Sequence, residues 1–429
     1  MLQPIDSKPR AAGTDGVAVA SRVKRRRRFL WAAVLIAILL TGCIGCLLSS
    51  RSDVLAWLEA IWTRNLRMSA ALLTFAATYV VVAIGKLPGY RIDRAGAALL
   101  GGALMVGIGV MSPAEAYGAI HFDTIVLLLG MMIVVANLRV SDFFRIVNRW
   151  IAINIRHPAM LLAAVIVASG VLSAFLVNDA ICLVMTPLVL DLVLKLKRNP
   201  MPYLLAIAMA SNIGSVATIT GNPQNMIIGS LSHVSYGSFA ATLAPVVAAG
   251  LVIAALLIAL AYRHEFFTRE RFAPQQVPSH YHGPLVANTV IVATAMVVLF
   301  FLGQPVAKVA IVGGAFLLLT RRVNPAKIYR EVDWPLLVMF VGLFIVVAAL
   351  EKTVITPDVV AAVGHLRLSN TGILSAVTAL LSNLVSNVPA VLVLKPFVAP
   401  LQDPQRAWLV MAMASTLPAT SRWLARLRT

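Results

Sequence analysis

The residues best equipped for chemistry in this chain carry hydroxyls and amides rather than charges. Ser173, Asn178 and Asp179 form one cluster, Thr218, Thr220, Gly221, Asn222 and Asn225 a second, and Ser382 and Asn387 a third. Each cluster interrupts an apolar run. Hydroxyl, amide and carbonyl oxygens gathered where a helix breaks make an ion site, because an unwound stretch frees backbone carbonyls that can coordinate a cation. The N-terminus of the limb that follows such a break points unpaired N–H groups at the break and suits an anion. No motif sets a nucleophile beside a base, so the chain does not read as an enzyme.

These clusters need elements that can hold them away from water, and the composition says which. Of 429 residues, 60% are hydrophobic and 12% charged, and the mean hydropathy is +0.88. A soluble domain carries about 25% charged residues. A chain this apolar takes lipid as its outer solvent, where only helices or closed barrels satisfy their own backbone. Unbroken runs such as Ile125–Val135 and Leu251–Ala261 favour helices over the alternation of a barrel. The fold class is therefore an all-α polytopic membrane protein. The formal charge of +19 lies in short connections between apolar runs, which excludes a nucleic-acid partner and marks cytoplasmic loops instead.

Applied loop by loop, the positive-inside rule puts Lys86, Arg94, Arg139, Arg145, Arg149, Arg156, Lys195, Arg198, Arg263 and Lys327 inside, and the stretch around Glu115, His121 and Asp123 outside. Residues 1–28, ending in Lys24-Arg25-Arg26-Arg27-Arg28, read as a basic cytoplasmic tail. Residues 29–67 read as an extra N-terminal transmembrane helix and an external loop. A signal peptide with a lipid-attachment site at Leu40-Thr41-Gly42-Cys43 is the alternative, and a retained helix is favoured. Residues 68–233 form a first repeat with a hairpin at 159–194 and a broken helix at 202–233. Residues 234–284 form a linking helix and cytoplasmic loop. Residues 285–429 form a second repeat with a hairpin at 369–400, truncated at its C-terminus.

The repeat is visible as self-similarity. Gly101-Gly102-Ala103 recurs as Gly313-Gly314-Ala315, Gly130 as Gly342, and Ile133–Ala136 as Ile345–Ala348, all 212 positions on. Ser173, Asn178 and Pro187 recur 209 positions on as Ser382, Asn387 and Pro396, and Ala208–Ser211 recurs 204 on as Ala412–Ser415. Loop charge, which played no part in finding these matches, gives the two copies opposite orientations. Inverted-topology repeats, each with a re-entrant helical hairpin and a broken helix, are the architecture of secondary transporters.

Alternatives stand beside several residues. Asn178 and Asn387 could bond between ordinary spanning helices. The Ser211–Asn225 stretch could be an external loop. Asp179, the lone acid deep in the membrane on this reading, would bind Na+ or carry a proton. Lys395 would pair with it, attract an anion, or snorkel to the interface. Asp123 and Asp333, at equivalent segment starts, read as helix caps. Cys43, Cys46 and Cys182 read as small apolar filler.

Leu172–Ala180 with Thr186-Pro187 resembles the hairpin of the arsenite permeases. Thr220-Gly221-Asn222-Pro223-Gln224-Asn225 and Ser386-Asn387-Val388-Pro389-Ala390 resemble anion permeases with a citrate-transporter-like domain. Both groups belong to the ion transporter superfamily, with the divalent-anion/Na+ symporters and NhaD-type antiporters. The resemblance covers about residues 68–416. It implies two hairpins and two broken helices meeting near mid-membrane, an elevator-like movement and a homodimer. It gives Ser173, Asn178, Thr218, Gly221, Asn222 and Asn225 to a first half-site, and Ser382 and Asn387 to a second. The expected function is secondary active transport of a small inorganic oxyanion or carboxylate, driven by Na+ or H+, with no other cofactor, in a bacterial inner membrane with a cytoplasmic N-terminus. A Na+/H+ antiporter on the same scaffold is the second expectation. A non-transporting membrane protein is the third, because after Leu417 the chain reads Pro418–Thr429 where a Gly/Asn-rich stretch is expected.

Overall fold

The computed structural model describes residues 64–86, 92–268, 271–272, 283–319, 324–356, 359–360 and 367–417. The basic tail, the first apolar run with Cys43 and Cys46, and the stretch 418–429 lie outside the described residues. Within them the regular structure is helical, apart from a single bridge between Lys86 and Asp93.

The first helices are α1 (Arg64–Ile84), α2 (Arg94–Gly107), α3 (Pro113–Ala119), α4 (Phe122–Val140) and α5 (Phe143–Asn154). There follow α6 (Pro158–Phe175), α7 (Asn178–Lys195), α8 (Met201–Gly214), α9 (Pro223–Ser232) and α10 (Tyr236–Ala261). The remainder are α11 (Gly283–Phe301), α12 (Val306–Leu319), α13 (Pro325–Glu331), α14 (Trp334–Thr353), α15 (Thr371–Val385), α16 (Asn387–Val398) and α17 (Pro404–Thr416). Six of them, α1, α4, α6, α10, α11 and α14, are long and apolar enough to cross a membrane. The chain is a multi-span membrane protein.

Their ends follow local chemistry. Ser112 and Glu115 form a capping box on α3, with Pro113 at the first helical position, where its missing N–H costs nothing. Asn324 caps α13 ahead of Pro325. Asp333 caps α14 by accepting from Leu336 N at 3.0 Å, as the sequence predicts. Asp123 differs from its expectation. His121 occupies the cap position of α4 with no side-chain bond, so capping does not account for the Asp123 carboxylate.

Two helix pairs make the centre of the molecule: α2 packs on α14, and α12 on α4. Both contacts need glycine. A Cβ on Gly342 would overlap the Ala98 carbonyl, and one on Gly130 would overlap the Ala310 carbonyl. A Cβ on Gly102 would stand 3.5 Å from Ile345 Cβ, and one on Gly314 would stand 3.4 Å from Ile133 Cβ. Every partner in one contact is the 212-shifted partner of the other with the two chain halves exchanged. Ion pairs clasp the ends of this centre. Lys352 Nζ lies 2.6 Å from Glu115 Oε1, and Arg139 Nη1 lies 2.5 Å from Glu331 Oε2. The Lys352 ammonium and the Ser112 cap hold the Glu115 carboxyl down at about 2.

Helix α5 is not visible as an apolar run, and its arginines read only as loop charge. It is amphipathic: Phe144, Asn148, Ile151 and Ala152 are buried, while Arg145 and Trp150 face outward. Asn148 Nδ2 donates to Leu188 O on α7 at 3.1 Å. A short helix with an aromatic and basic outer face fits a membrane–water interface.

Candidate functional site

The polar clusters sit where helices stop. Helices α6 and α7 form a helix–turn–helix joined through Leu176 and Val177, and α15 and α16 form another joined at Ser386. Helix α8 ends at Gly214. The chain then makes two short 3-10 turns, Ser215–Ala217 and Ile219–Gly221, before α9 begins. Residues 213 to 228 are all buried. This stretch is interior backbone whose polar groups must find protein partners.

They find them on the tip of the α6–α7 unit. Ser173 Oγ donates to Ser211 O at 2.6 Å, and Ser211 Oγ donates to Asn178 O at 2.8 Å. Thr218 Oγ1 donates to Ala174 O. Thr220 Oγ1 lies 3.2 Å from Thr218 Oγ1 and 2.9 Å from the Tyr236 hydroxyl. The close crossing is set by glycines. A side chain on Gly214 would overlap the Gly170 backbone, and one on Gly221 would overlap the Ser215 carbonyl.

Asn222 and Asn225 brace the unwound strand from inside. Asn222 Oδ1 accepts from Asn225 N at 2.8 Å and so caps α9, while its Nδ2 donates to Ser215 Oγ at 3.0 Å. Asn225 Nδ2 donates to Thr218 O at 2.9 Å and to Ser215 O at 3.2 Å. Those donations fix which way the amide points. Its Oδ1 is then left buried without a hydrogen-bond partner, as is Oδ1 of Asn178. Buried acceptors without a partner are uncommon in folded proteins.

The remaining candidates are placed as follows. Asp179 stands exposed in the first turn of α7. Lys395 does not reach it: its Nζ lies 3.3 Å from Glu351 Oε1 on α14. Both of those side chains are only partly exposed. Ser382 is buried with its hydroxyl unpartnered, as is Thr378 one turn earlier. Asn387 is the first residue of α16 and half-buried. Ser386 before it has φ 83°, a backbone region costly for a residue with a side chain.

Further contributors lie outside the candidate residues. Asn212 Nδ2 donates to Thr416 O and Gln224 Nε2 to Thr416 Oγ1, each at 2.9 Å. These bonds tie α8 and α9 to α17. Thr416 is Asn212 shifted by the 204 positions that relate Ser211 to Ser415. A cavity of about 180 Å3 lined by Asp123, Ser230 and Lys308 reaches Ile219 in the unwound strand. At its edge Thr124 Oγ1 lies 2.7 Å from Ser230 Oγ.

A family of citrate transporters matches residues 79–417, a span that takes in every element described except the start of α1. The chain belongs to the citrate transporter family. It is also similar to the silicon efflux transporter LSI3 of Oryza sativa subsp. japonica, 27% identical over 414 residues, covering 80% of this chain and 85% of that one. The inner membrane protein YbiR of Escherichia coli is 30% identical over 311 residues, covering 69% of this chain and 78% of the other. Among solved structures, the YdaH transporter of Alcanivorax borkumensis superposes with a TM-score of 0.47 at 15% identity, covering 85% of this chain and 91% of that one. This member of the citrate transporter family is a polytopic membrane transporter related to anion permeases, and not an enzyme.

Proposed function

We propose that the protein is a secondary active transporter of a small anion, an inorganic oxyanion or a carboxylate, coupled to Na+. The observation that carries this reading is the pair of orphaned amide oxygens of Asn178 and Asn225, buried beside the tip where Ser173, Ser211 and Thr218 converge. Oxygen acceptors with no donor ask for a cation. The N-terminus of α7 beside them offers unpaired N–H groups to an anion, and a bound cation would offset the charge repulsion that anion meets in a low-dielectric site. Cation and anion would then bind cooperatively, which is what coupling requires.

We take the two halves as inverted-topology repeats. The exchanged contacts Ala98–Gly342 and Gly130–Ala310, and the Asn212–Thr416 bond, support a two-fold relation. Loop charge supports its inverted sense. On this reading α6–α7 and α15–α16 are re-entrant hairpins that move with α8, α9 and α17 against the α2–α14 and α4–α12 centre. Tyr79 OH to Pro389 O at 3.2 Å and the Lys395–Glu351 pair are contacts that such a movement breaks. The cavity at Asp123, Ser230 and Lys308 lies at the outer side and gives ions a way toward Ile219.

The test is uptake into proteoliposomes of labelled citrate, phosphate and arsenate, under a Na+ gradient and separately under a pH gradient. Uptake of one of them that needs Na+ and disappears in Asn178→Ala and Asn225→Ala is expected. The exposed carboxylate of Asp179 favours a second reading, Na+/H+ exchange on the same scaffold. Na+-driven proton release without anion uptake, abolished by Asp179→Asn, would establish that reading in place of the first.

A further inference from the structure

A second cavity, far from the polar clusters in character, lies where α6 faces α4 and α11. It has a volume of about 290 Å3, and its wall includes Val134 and Leu138 of α4, Val171 and Phe175 of α6, and Ala293 and Val297 of α11. No charged side chain lines it. The elements around it pack elsewhere: α6 on α8 and α10, α11 on α4 and α12. The cavity is thus a gap in the seam between them.

Such a space does not hold water. An apolar cavity of about 150 Å3 stays dry and takes a hydrocarbon guest instead. This one opens onto the outer surface of the helices, because Val171, which lines it, is 58% exposed and Thr294, also in its wall, is exposed too. In a multi-span protein, the hydrocarbon in contact with that opening is the acyl region of the bilayer. Phe143, the first residue of α5, closes one end of the gap. The outward face of α5 carries Arg145 and Trp150, the residue types that lie at headgroup level.

We propose that this cavity is a lipid site: one acyl chain of a membrane phospholipid occupies the seam between α6 and the α4–α11 wall, with its headgroup at the level of α5. The inference goes beyond the transport reading and stands without it, since it needs only the cavity and the bilayer. If α6 does move during transport, the chain would act as a filler whose length and unsaturation set how easily the seam slides.

The experiment is native mass spectrometry of the full chain, purified in mild detergent and then offered phosphatidylglycerol, phosphatidylcholine or palmitate. Wild type is expected to retain about one phospholipid per chain. Ala293→Trp, which fills the cavity from α11, and Val171→Trp, which fills it from α6, should each reduce that occupancy about tenfold. Leu257→Trp, on the exposed outer face of α10, should leave it unchanged. Size-exclusion profiles and thermal unfolding of each variant separate loss of lipid from loss of fold. If one cavity variant misfolds, the other carries the test from the opposite wall. Equal lipid retention in wild type and a folded cavity variant overturns the proposal, and so does occupancy by palmitate with no phospholipid bound. Lipid retention with no measurable transport would leave the site standing and count against the transport reading alone.

Discussion

Ser173 and Ser382 occupy the same place in the two chain halves, 209 positions apart, yet their surroundings differ. Around Ser173 its hydroxyl, those of Ser211 and Thr218, and Nδ2 of Asn225 all have backbone partners, while Oδ1 of Asn178 and Asn225 and the hydroxyl of Ser169 have none. In the second half the hydroxyl of Ser382 itself is buried without a partner, as is that of Thr378, the counterpart of Ser169, and the turn at Ser386 holds a positive φ. At the equivalent turn of the first half, Val177 sits in a relaxed extended conformation with φ −63°. Both halves carry unmet bonding capacity; what differs is the matched serine, bonded in the first half and unpartnered in the second, and the strained turn found only in the second. Pseudo-symmetry in sequence therefore does not make the two half-sites energetically equal.

That difference can be broken by substitution. The largest effect is expected from Asn225→Ala, which strips donors from the carbonyls of Ser215 and Thr218 and leaves them buried. Each lost partner costs roughly 1–3 kcal/mol. Thermal unfolding in detergent should drop sharply, and any transport should be lost. Next comes Gly342→Ala, whose methyl must displace the Ala98 backbone, at about 1–3 kcal/mol for overpacking. Gly130→Ala should cost the same if the centre is truly two-fold, and unequal melting shifts would refute that symmetry.

The third prediction bears directly on the two serines. Ser173→Ala should cost about 1 kcal/mol for a lost hydrogen bond. Ser382→Ala should leave the ligand-free protein as stable as wild type or slightly more so. Its cost should emerge only as a smaller thermal shift on adding Na+ and anion. Equal destabilisation by both would erase the distinction.

The smallest effect concerns the clasp at Glu115. Its carboxyl is held down by Lys352, so its folded value lies below its unfolded one. Its contribution is present above the ordinary carboxylate range near 4.3 and fades as pH falls toward 2. Because both side chains of the pair are about half exposed, Glu115→Gln should flatten the acid limb of the melting curve between about pH 5 and 2 only slightly.

Much of the architecture was legible because lipid leaves so few options. Each helix–turn–helix lies within a long apolar run broken by Ser and Asn. The unwound stretch after Gly214 was legible through Thr220–Asn225, since Gly and Pro so close together cannot continue a helix. Helix α5 was not, because its period mixes arginine and asparagine with the apolar residues and its charge reads as loop. The bond from Asn212 to Thr416, 204 positions away, leaves no local pattern, and the Tyr236 hydroxyl meets Thr220 only through the fold. Of the three readings left open for Lys395, pairing with Asp179 is not met, since its ammonium pairs with Glu351 instead. Asp123 was misjudged because an acid at a helix start usually caps it, and here His121 holds that position.

The crossed packing at the centre has a consequence for biosynthesis. Helix α2 finds its main partner in α14, and α4 in α12, so neither surface is covered until residues 306–353 leave the ribosome. Through that interval the grooves at Ala98 and Gly130 must be solvated by lipid. Assembly is obliged to be late and long-range, a slow route for any chain. Nascent first halves should therefore be the species that quality-control proteases meet.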